Sequence, residues 1–216
     1  MQYYRFQSPQ NINERKEIRT IQVQGEGTIY AAPNEATIVL GVETENISLQ
    51  TAQTENAALM NKVLQALQSI GITQEQVQTI DFRINPQYDF EDGKQQFRGY
   101  KVTHIVQIRT SQLTRVGHIV DTAVQNGANI VRDVSFSITD STNLYQYALK
   151  KALEQATVKA TTIANFYGVP LSNTPTVVKE EYEQGAAPIP RAFAQAEATP
   201  IQPGQIGITA RVLVEY

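Results

Sequence analysis

The sequence predicts an α+β fold, mostly antiparallel sheet with helices packed on one side, and three observations lead there. Apolar residues alternate with a period of two along a series of short stretches, the mark of half-buried strands. Three longer stretches switch to a helical period, and Gly71 and Gly168 stand where two of them end. The order strand, helix, glycine, strand, hairpin, strand occurs twice, over 36–110 and again over 129–216 once a helical insertion at 111–128 is set aside. This reads as a duplicated βαββ unit.

Residues 1–17 are polar and read as a flexible tail ahead of a single domain over 18–216. From Ile18 the pattern is strand-like, with Ile21, Val23 and Gly25 alternating with Thr20, Gln22 and Gln24. Pro33 breaks pairing before a second strand, in which Ala36, Ile38, Leu40 and Val42 share one face. Ser48 is an N-cap for a first helix carrying Ala52, Leu59, Val63, Ala66, Leu67 and Ile70 on one stripe. "VQTIDFRINPQYDF" and "QFRGYKVTHIVQIRT" are two strands, and the Asp92-Gly93 turn between them makes a hairpin. A second helix from Gln112 to about Asn126 presents Leu113, Val116, Ile119, Val120 and Ala123. "NIVRDVSFSITD" returns to strand, and a long third helix runs from near Ser141 to about Tyr167 with Leu149, Ala152, Ala156, Ala160 and Ile163 as its stripe. "TPTVVKEEYE" and "GQIGITARVLVEY" are the last strands. The segment between them, 184–204, is rich in Ala, Pro and Gln and reads as a mobile arm, with Arg191 and Phe193 as its candidate docking anchor.

The 216 residues are 41% hydrophobic and 18% charged, enough apolar matter for a normal core. A net charge of -3 and a pI near 5.5 give no general attraction to nucleic acid or anionic lipid. With no cysteine the chain has no disulfide, thiolate metal site or cysteine nucleophile. No apolar run approaches the roughly 20 residues of a membrane span, and no basic segment followed by an apolar one marks a leader. As written, the sequence reads as a soluble, cytoplasmic chain.

The site chemistry the sequence excludes is as informative. Gly25-Glu26-Gly27 is followed by a strand rather than a helix, and no third glycine follows, so it lacks the helix N-terminus that would hold a pyrophosphate. It reads instead as a kink or bulge, where glycine lets the backbone bend or approach a neighbour. No nucleophile elbow surrounds Ser111 or Ser172. His118 on the second helix and His104 on a strand could each act as a base, but an ordinary half-buried histidine is the favoured reading. Asp89, Glu91 and Asp92 crowd the hairpin tip without calcium-loop spacing, and Glu180, Glu181 and Glu183 cannot share one strand face because neighbours alternate. No catalytic, cofactor-binding or metal-binding residue is assigned. The small residues Ala148, Ala152, Ala156, Ala160 and Ala164 permit close approach of another backbone, chiefly that of the domain's own sheet, alternatively a partner helix.

The order and spacing of "QGEGTIYAAPNEATIVLGVET", of Asn56, Met60 and Val63, and of "GITQEQVQT" and "INPQYDF" resemble the SIMPL-domain family, long filed as a domain of unknown function. The likeness continues through "GYKVTHIVQIRT", "LTRVGHIVDTAVQNGANIVRDVSFSI" and "ALKKALEQATVKATTIANFYGV". It implies an α+β fold, members often exported to the periplasm or cell envelope, a tendency to form oligomers, loose links to envelope function or stress response, and no established reaction. Val169-Pro170 replaces the usual Leu-Gly after the third helix, so a different helix exit is expected there. The function expected is that of a non-enzymatic, homo-oligomeric assembly or scaffold protein that needs no cofactor, with the arm reaching a neighbouring subunit. The alternative is a monomeric module binding a peptide, glycan or small ligand near Tyr88, Phe90 and Tyr100.

Overall fold

The computed structural model describes residues 20–91, 93–181, 188–189, 199 and 201–216. In chain order these form β1 (Gln22–Ala31), β2 (Glu35–Asn46), α1 (Leu49–Ser69), β3 (Val77–Glu91), β4 (Lys94–Thr110), α2 (Val116–Gln125), β5 (Ile130–Ser137), α3 (Thr142–Tyr167), β6 (Val177–Glu181), β7 (Pro188–Ile189) and β8 (Gln205–Glu215). Short 3-10 turns at Gln74–Gln76 and Leu113–Arg115 lead into β3 and α2.

Two antiparallel sheets carry the fold. One has the order β1-β8-β6, with β7 also on β8; the other has the order β3-β4-β2-β5. Each is covered on one face by helix and builds its own apolar cluster. Alanines of α3 pack on Val23, Val212 and Val214 of the first sheet. Met60, Val63 and Leu67 of α1 and Ile119 of α2 pack on Ile38, Leu40, Val106 and Ile108 of the second. This is the α+β arrangement expected.

The two sheets share a strand order, but not over the boundaries read from the sequence. β2, α1, β3 and β4 form the first unit as read. In the second, β5 does not lead the sheet; it joins the first unit's sheet beside β2. The lead place is taken by β1, which pairs with β8 from Gln22 opposite Glu215 to Ala31 opposite Ile206. The order β1-β8-β6 then repeats β2-β4-β3. Alternation identifies a strand but not the sheet it joins, because that choice is made by partners distant in sequence.

All three helices end alike. Gly71, Gly127 and Gly168 take φ of +94°, +117° and +64°. The following amides of Ile72, Ala128 and Val169 bond back to Leu67, Ala123 and Ala164 at 3.1, 3.0 and 3.0 Å, the closing bond of a Schellman ending. Val169-Pro170 thus leaves the third helix by the same ending as the other two. At the other end of α1, the Ser48 hydroxyl accepts from the Thr51 amide at 3.4 Å, as its sequence position predicts.

Gly25 and Gly27 correct the kink or bulge expectation. The β1–β8 register runs through both without a shift. What they provide is the second half of that reading, close approach. A Cβ on Gly25 would collide with the Ala152 carbonyl and come within 2.9 Å of the Ala156 Cβ; one on Gly27 would collide with the Ala148 carbonyl and stand 2.5 Å from the Ala152 nitrogen. Ala148, Ala152, Ala156 and Ala160 are buried against this sheet and Ala164 is buried at the end of the stripe, so the small residues are used within the chain. Leu149 flanks the stripe, while Ile163 leans outward at 36% exposure.

The arm is only partly described; Arg191 and Phe193 lie outside the described residues. Its described parts turn back on their own chain. Pro188 and Ile189 pair with Ile206 and Gln205. The Thr199 hydroxyl and amide donate to Asp121 at 2.6 and 3.2 Å, and Ile201 packs against the α1–α2 core. Gly117 clears space for this docking, since a side chain there would strike the Thr199 carbonyl. These contacts are made within the chain by the described parts of the segment.

Candidate functional site

The β3–β4 hairpin dominates the surface of the larger sheet. Its ladder continues to Glu91 opposite Lys94, well past the end of the covering helix, so that from Asn85 outward most side chains are exposed. Gly93, at φ +75°, closes the turn, as the Asp-Gly signal predicts. Two irregularities shape it: Ile80 is an extra residue in β3, and Arg98 is an extra residue in β4. The Arg98 bulge has a purpose visible in its partners. Its guanidinium grips both oxygens of Glu45 at 2.5 and 2.8 Å and reaches Asp89 at 3.4 Å. This two-pronged bond ties the hairpin to the end of β2. The bond from Arg98 holds the Glu45 carboxyl below its usual range, and Glu45 raises Arg98 in return.

Along the tip, Tyr88 meets Phe97 edge-on at 5.7 Å between ring centres, and Phe97 meets Tyr100 at 5.1 Å. Of the residues proposed from sequence, Tyr88 and Tyr100 thus share a cluster. Phe90 stands beyond it, 76% exposed. Phe97, which joins the two tyrosines, escaped the sequence reading. Counting back from the Asp-Gly turn would have placed it opposite Tyr88.

Beside the hairpin's base, a groove of about 440 Å³ lies between the second half of α1, the turn at Gln74–Gln76 and β3. Leu64, Ile72, Val77 and Val106 form its floor, and the amides of Asn61, Gln65, Gln68 and Gln74 its rim. No local sequence pattern marks it, because its walls come from three separated segments. Deeper in α1, buried Asn56 donates to the carbonyls of Val42 and Val102 at 3.1 and 3.0 Å, tying the helix to β2 and β4. Its own side-chain oxygen is buried without a hydrogen-bond partner.

The half-buried setting expected of both histidines holds for His104 and not for His118. The His104 ring on β4 is 3.1 Å from the Thr79 hydroxyl and edge-on to Phe82, and burial pushes its pKa down. His118 is exposed on α2. The Asp121 carboxylate is held below its ordinary range mainly by the Thr199 hydroxyl and amide, with His118 a smaller influence. Ser172 closes a local turn with Thr174. Glu180 accepts from the Tyr145 hydroxyl at 2.5 Å and Glu181 from Gln24 at 2.6 Å. Strand alternation puts the two on opposite faces, as expected. Glu183, Asp92 and the side chain of Glu91 lie outside the described residues. Among the described residues, no group of three or more His, Asp or Glu side chains is placed to hold a metal ion. No helix among them is long and apolar enough to cross a membrane.

The site's residues are thus aromatic, amide and ion-paired. Comparison with known proteins places this arrangement. The model of the SIMPL family, described as "Protein of unknown function (DUF541)", matches residues 21–216. The chain belongs to the SIMPL family. Among similar SIMPL-type proteins is the 26 kDa periplasmic immunogenic protein of Brucella melitensis, 31% identical over 182 residues, which are 82% of this chain and 71% of that one. The uncharacterized protein YggE of Escherichia coli (strain K12) is 24% identical over 189 residues, 88% of this chain and 76% of its own. In this SIMPL chain, the matched region includes both sheets, the hairpin and the groove.

Proposed function

We propose that this SIMPL chain is a non-enzymatic assembly protein that works as a homo-oligomer, at an extracytoplasmic site as the name of its Brucella relative suggests. The observation that carries the reading is the β3–β4 hairpin, which extends Tyr88, Phe90 and Phe97 beyond the core at 46%, 76% and 43% exposure. Exposed aromatics grouped on a protruding element favour burial against another protein surface. The contact element is the hairpin, not the arm. The test is native mass by light scattering coupled to size exclusion over a concentration series. The wild type is expected as a stable multiple of the 24.0 kDa chain. The triple variant Tyr88→Ser, Phe90→Ser, Phe97→Ser should dissociate with its secondary structure unchanged. A wild-type monomer at every concentration would overturn the reading.

The groove supports a second reading, a monomeric module that takes an uncharged peptide or glycan between the amide rim and the apolar floor. Thermal-shift screening against uncharged oligosaccharides and peptides tests it, with a rise in Tm expected for a true ligand. A flat screen counts against it.

A further inference from the structure

We infer that two copies of this chain pair through the free edge of β3, antiparallel about a two-fold axis at Phe82, with Tyr88 and Phe90 of each copy seated in the groove of the other. This rests on the assembly reading and names its interface.

Among the described residues, the sheets offer four free edges, with β6 and the two-residue β7 lining one of them, and three are blunted. The outer side of β1 is latched by α3: the Gln155 carbonyl oxygen accepts from the Glu26 amide and the Lys159 ammonium donates to the Gln24 carbonyl, both at 2.8 Å. The edge strand β6 is five residues long, and three of them, Lys179, Glu180 and Glu181, are charged. The edge strand β5 is kinked by an extra residue, Arg132, whose guanidinium lies 3.6 Å from Asp81 across the sheet. Latches, charges, short length and bulges are the usual defences against edge pairing. β3 is the longest edge at 15 residues and carries exposed Ile80 and Phe82. Among the described residues, no side chain hydrogen-bonds to its main chain from Val77 to Ile84. Its bulge at Ile80 and its Pro86, which has no N–H to donate, confine regular pairing to the stretch around Phe82.

That stretch is self-complementary. With Phe82 opposite Phe82, Asp81 of each copy faces Arg83 of the other. Within one chain Arg83 already grips Asp81 at 2.7 and 3.0 Å, so both groups lie on the same strand face and exchange partners without turning over. Shifting the centre by one residue to Arg83 would set two arginines against each other. The charges therefore select the register.

The same register fills the groove. An antiparallel edge pair extends the sheet about an axis perpendicular to it, which keeps the helix-bearing faces of both copies on one side. By alternation, Tyr88 and Phe90 share the face of Phe82 and Ile84. Carried along the partner's strand, they pass Val77 and come alongside the turn at Gln74–Gln76, where the groove opens on the helix side. Its floor of Leu64, Ile72, Val77 and Val106 suits aromatic rings. The occupant is thus a second copy of the chain; a free ligand in the groove is the competing outcome.

The test is a charge exchange read by native mass. Asp81→Arg or Arg83→Asp alone sets like charges against each other twice per pair, and each variant should associate about tenfold or more weakly than the wild type. Mixed in equal amounts, the two variants face each other with opposite charges and should recover association as a heteromer. In addition, the chain has no cysteine, so Phe82→Cys should give a disulfide-linked dimer on mild oxidation while Val131→Cys, on the β5 edge, should not. Single variants that associate like the wild type, a mixture that stays apart, or equal crosslinking from both cysteine positions would each overturn this interface while leaving the assembly reading standing. A wild-type monomer would remove the assembly reading and this inference with it. A groove ligand that raises the Tm of the wild type without changing its mass would also count against this interface.

Discussion

The two helix-covered sheets solve the same problem in opposite ways. On β1 and β8 the helix comes so close that glycines and alanines meet, and there is no room for a single extra methyl group. On β2 and β4 the helix stands off and the gap is filled by large side chains, Met60, Leu67, Ile38 and Leu40, all at most 1% exposed. The consequence reaches the sheet edges. A helix seated low over β1 brings Gln155 and Lys159 within reach of its free backbone groups, and the edge is shut. A helix held higher leaves a groove beside β3 and an edge that nothing among the described residues covers. Side-chain size in the core thus decides which edge of the molecule stays available for contact.

The comparison can be broken at its tightest point. Gly27→Val should cost about 3 kcal/mol or more in urea unfolding, because the new side chain meets backbone atoms of α3 that cannot move independently. In the other layer the sensitive direction is reversed: Met60→Ala removes volume and should cost about 2 to 5 kcal/mol through the cavity it leaves. If Gly27→Val were neutral, α3 could rise off β1 and the contrast between the layers would fail.

A smaller effect is expected at Asn56. Replacing it with Ala strips the Val42 and Val102 carbonyls of their side-chain donor and should cost about 1 to 3 kcal/mol by the same measurement. A cost near zero would mean that the amide's own buried, unpartnered oxygen cancels what its nitrogen contributes.

The smallest effect concerns pH. Burial lowers the His104 pKa below its ordinary 6.5, so in falling pH the unfolded chain takes up the proton first. The stability this contributes is complete above that value and is lost as pH falls through it toward the folded-state pKa. His104→Gln should therefore show a shallower loss of stability between about pH 8 and about pH 5 than the wild type. An unchanged slope would place the acid sensitivity elsewhere.

Some features were legible in the chain because their causes are local. The three helices, the glycine exits at Gly71 and Gly168, the N-cap at Ser48, the Asp92-Gly93 hairpin and the opposite facing of Glu180 and Glu181 follow from periods and turn chemistry confined to a few residues; the exit at Gly127 was not read. The hairpin's candidate aromatics were half legible. Tyr88 and Tyr100 stand out by type; Phe97 falls opposite Tyr88 by counting from the turn, but its meeting with Tyr100 depends on the Arg98 bulge between them. The groove was not legible, since its walls come from separated segments and contain ordinary core and surface residues.

By itself, then, the sequence determined the element order, the class of fold and the absence of cysteine chemistry, because hydrophobic period and composition act over short distances. Tertiary structure alone decided that β1 rather than β5 leads the second sheet, that Gly25 and Gly27 seat a helix rather than bend a strand, and that the described parts of the arm dock on their own chain. Each of these depends on contacts between segments far apart in sequence, where many pairings satisfy the same local pattern and only simultaneous packing of both cores selects one.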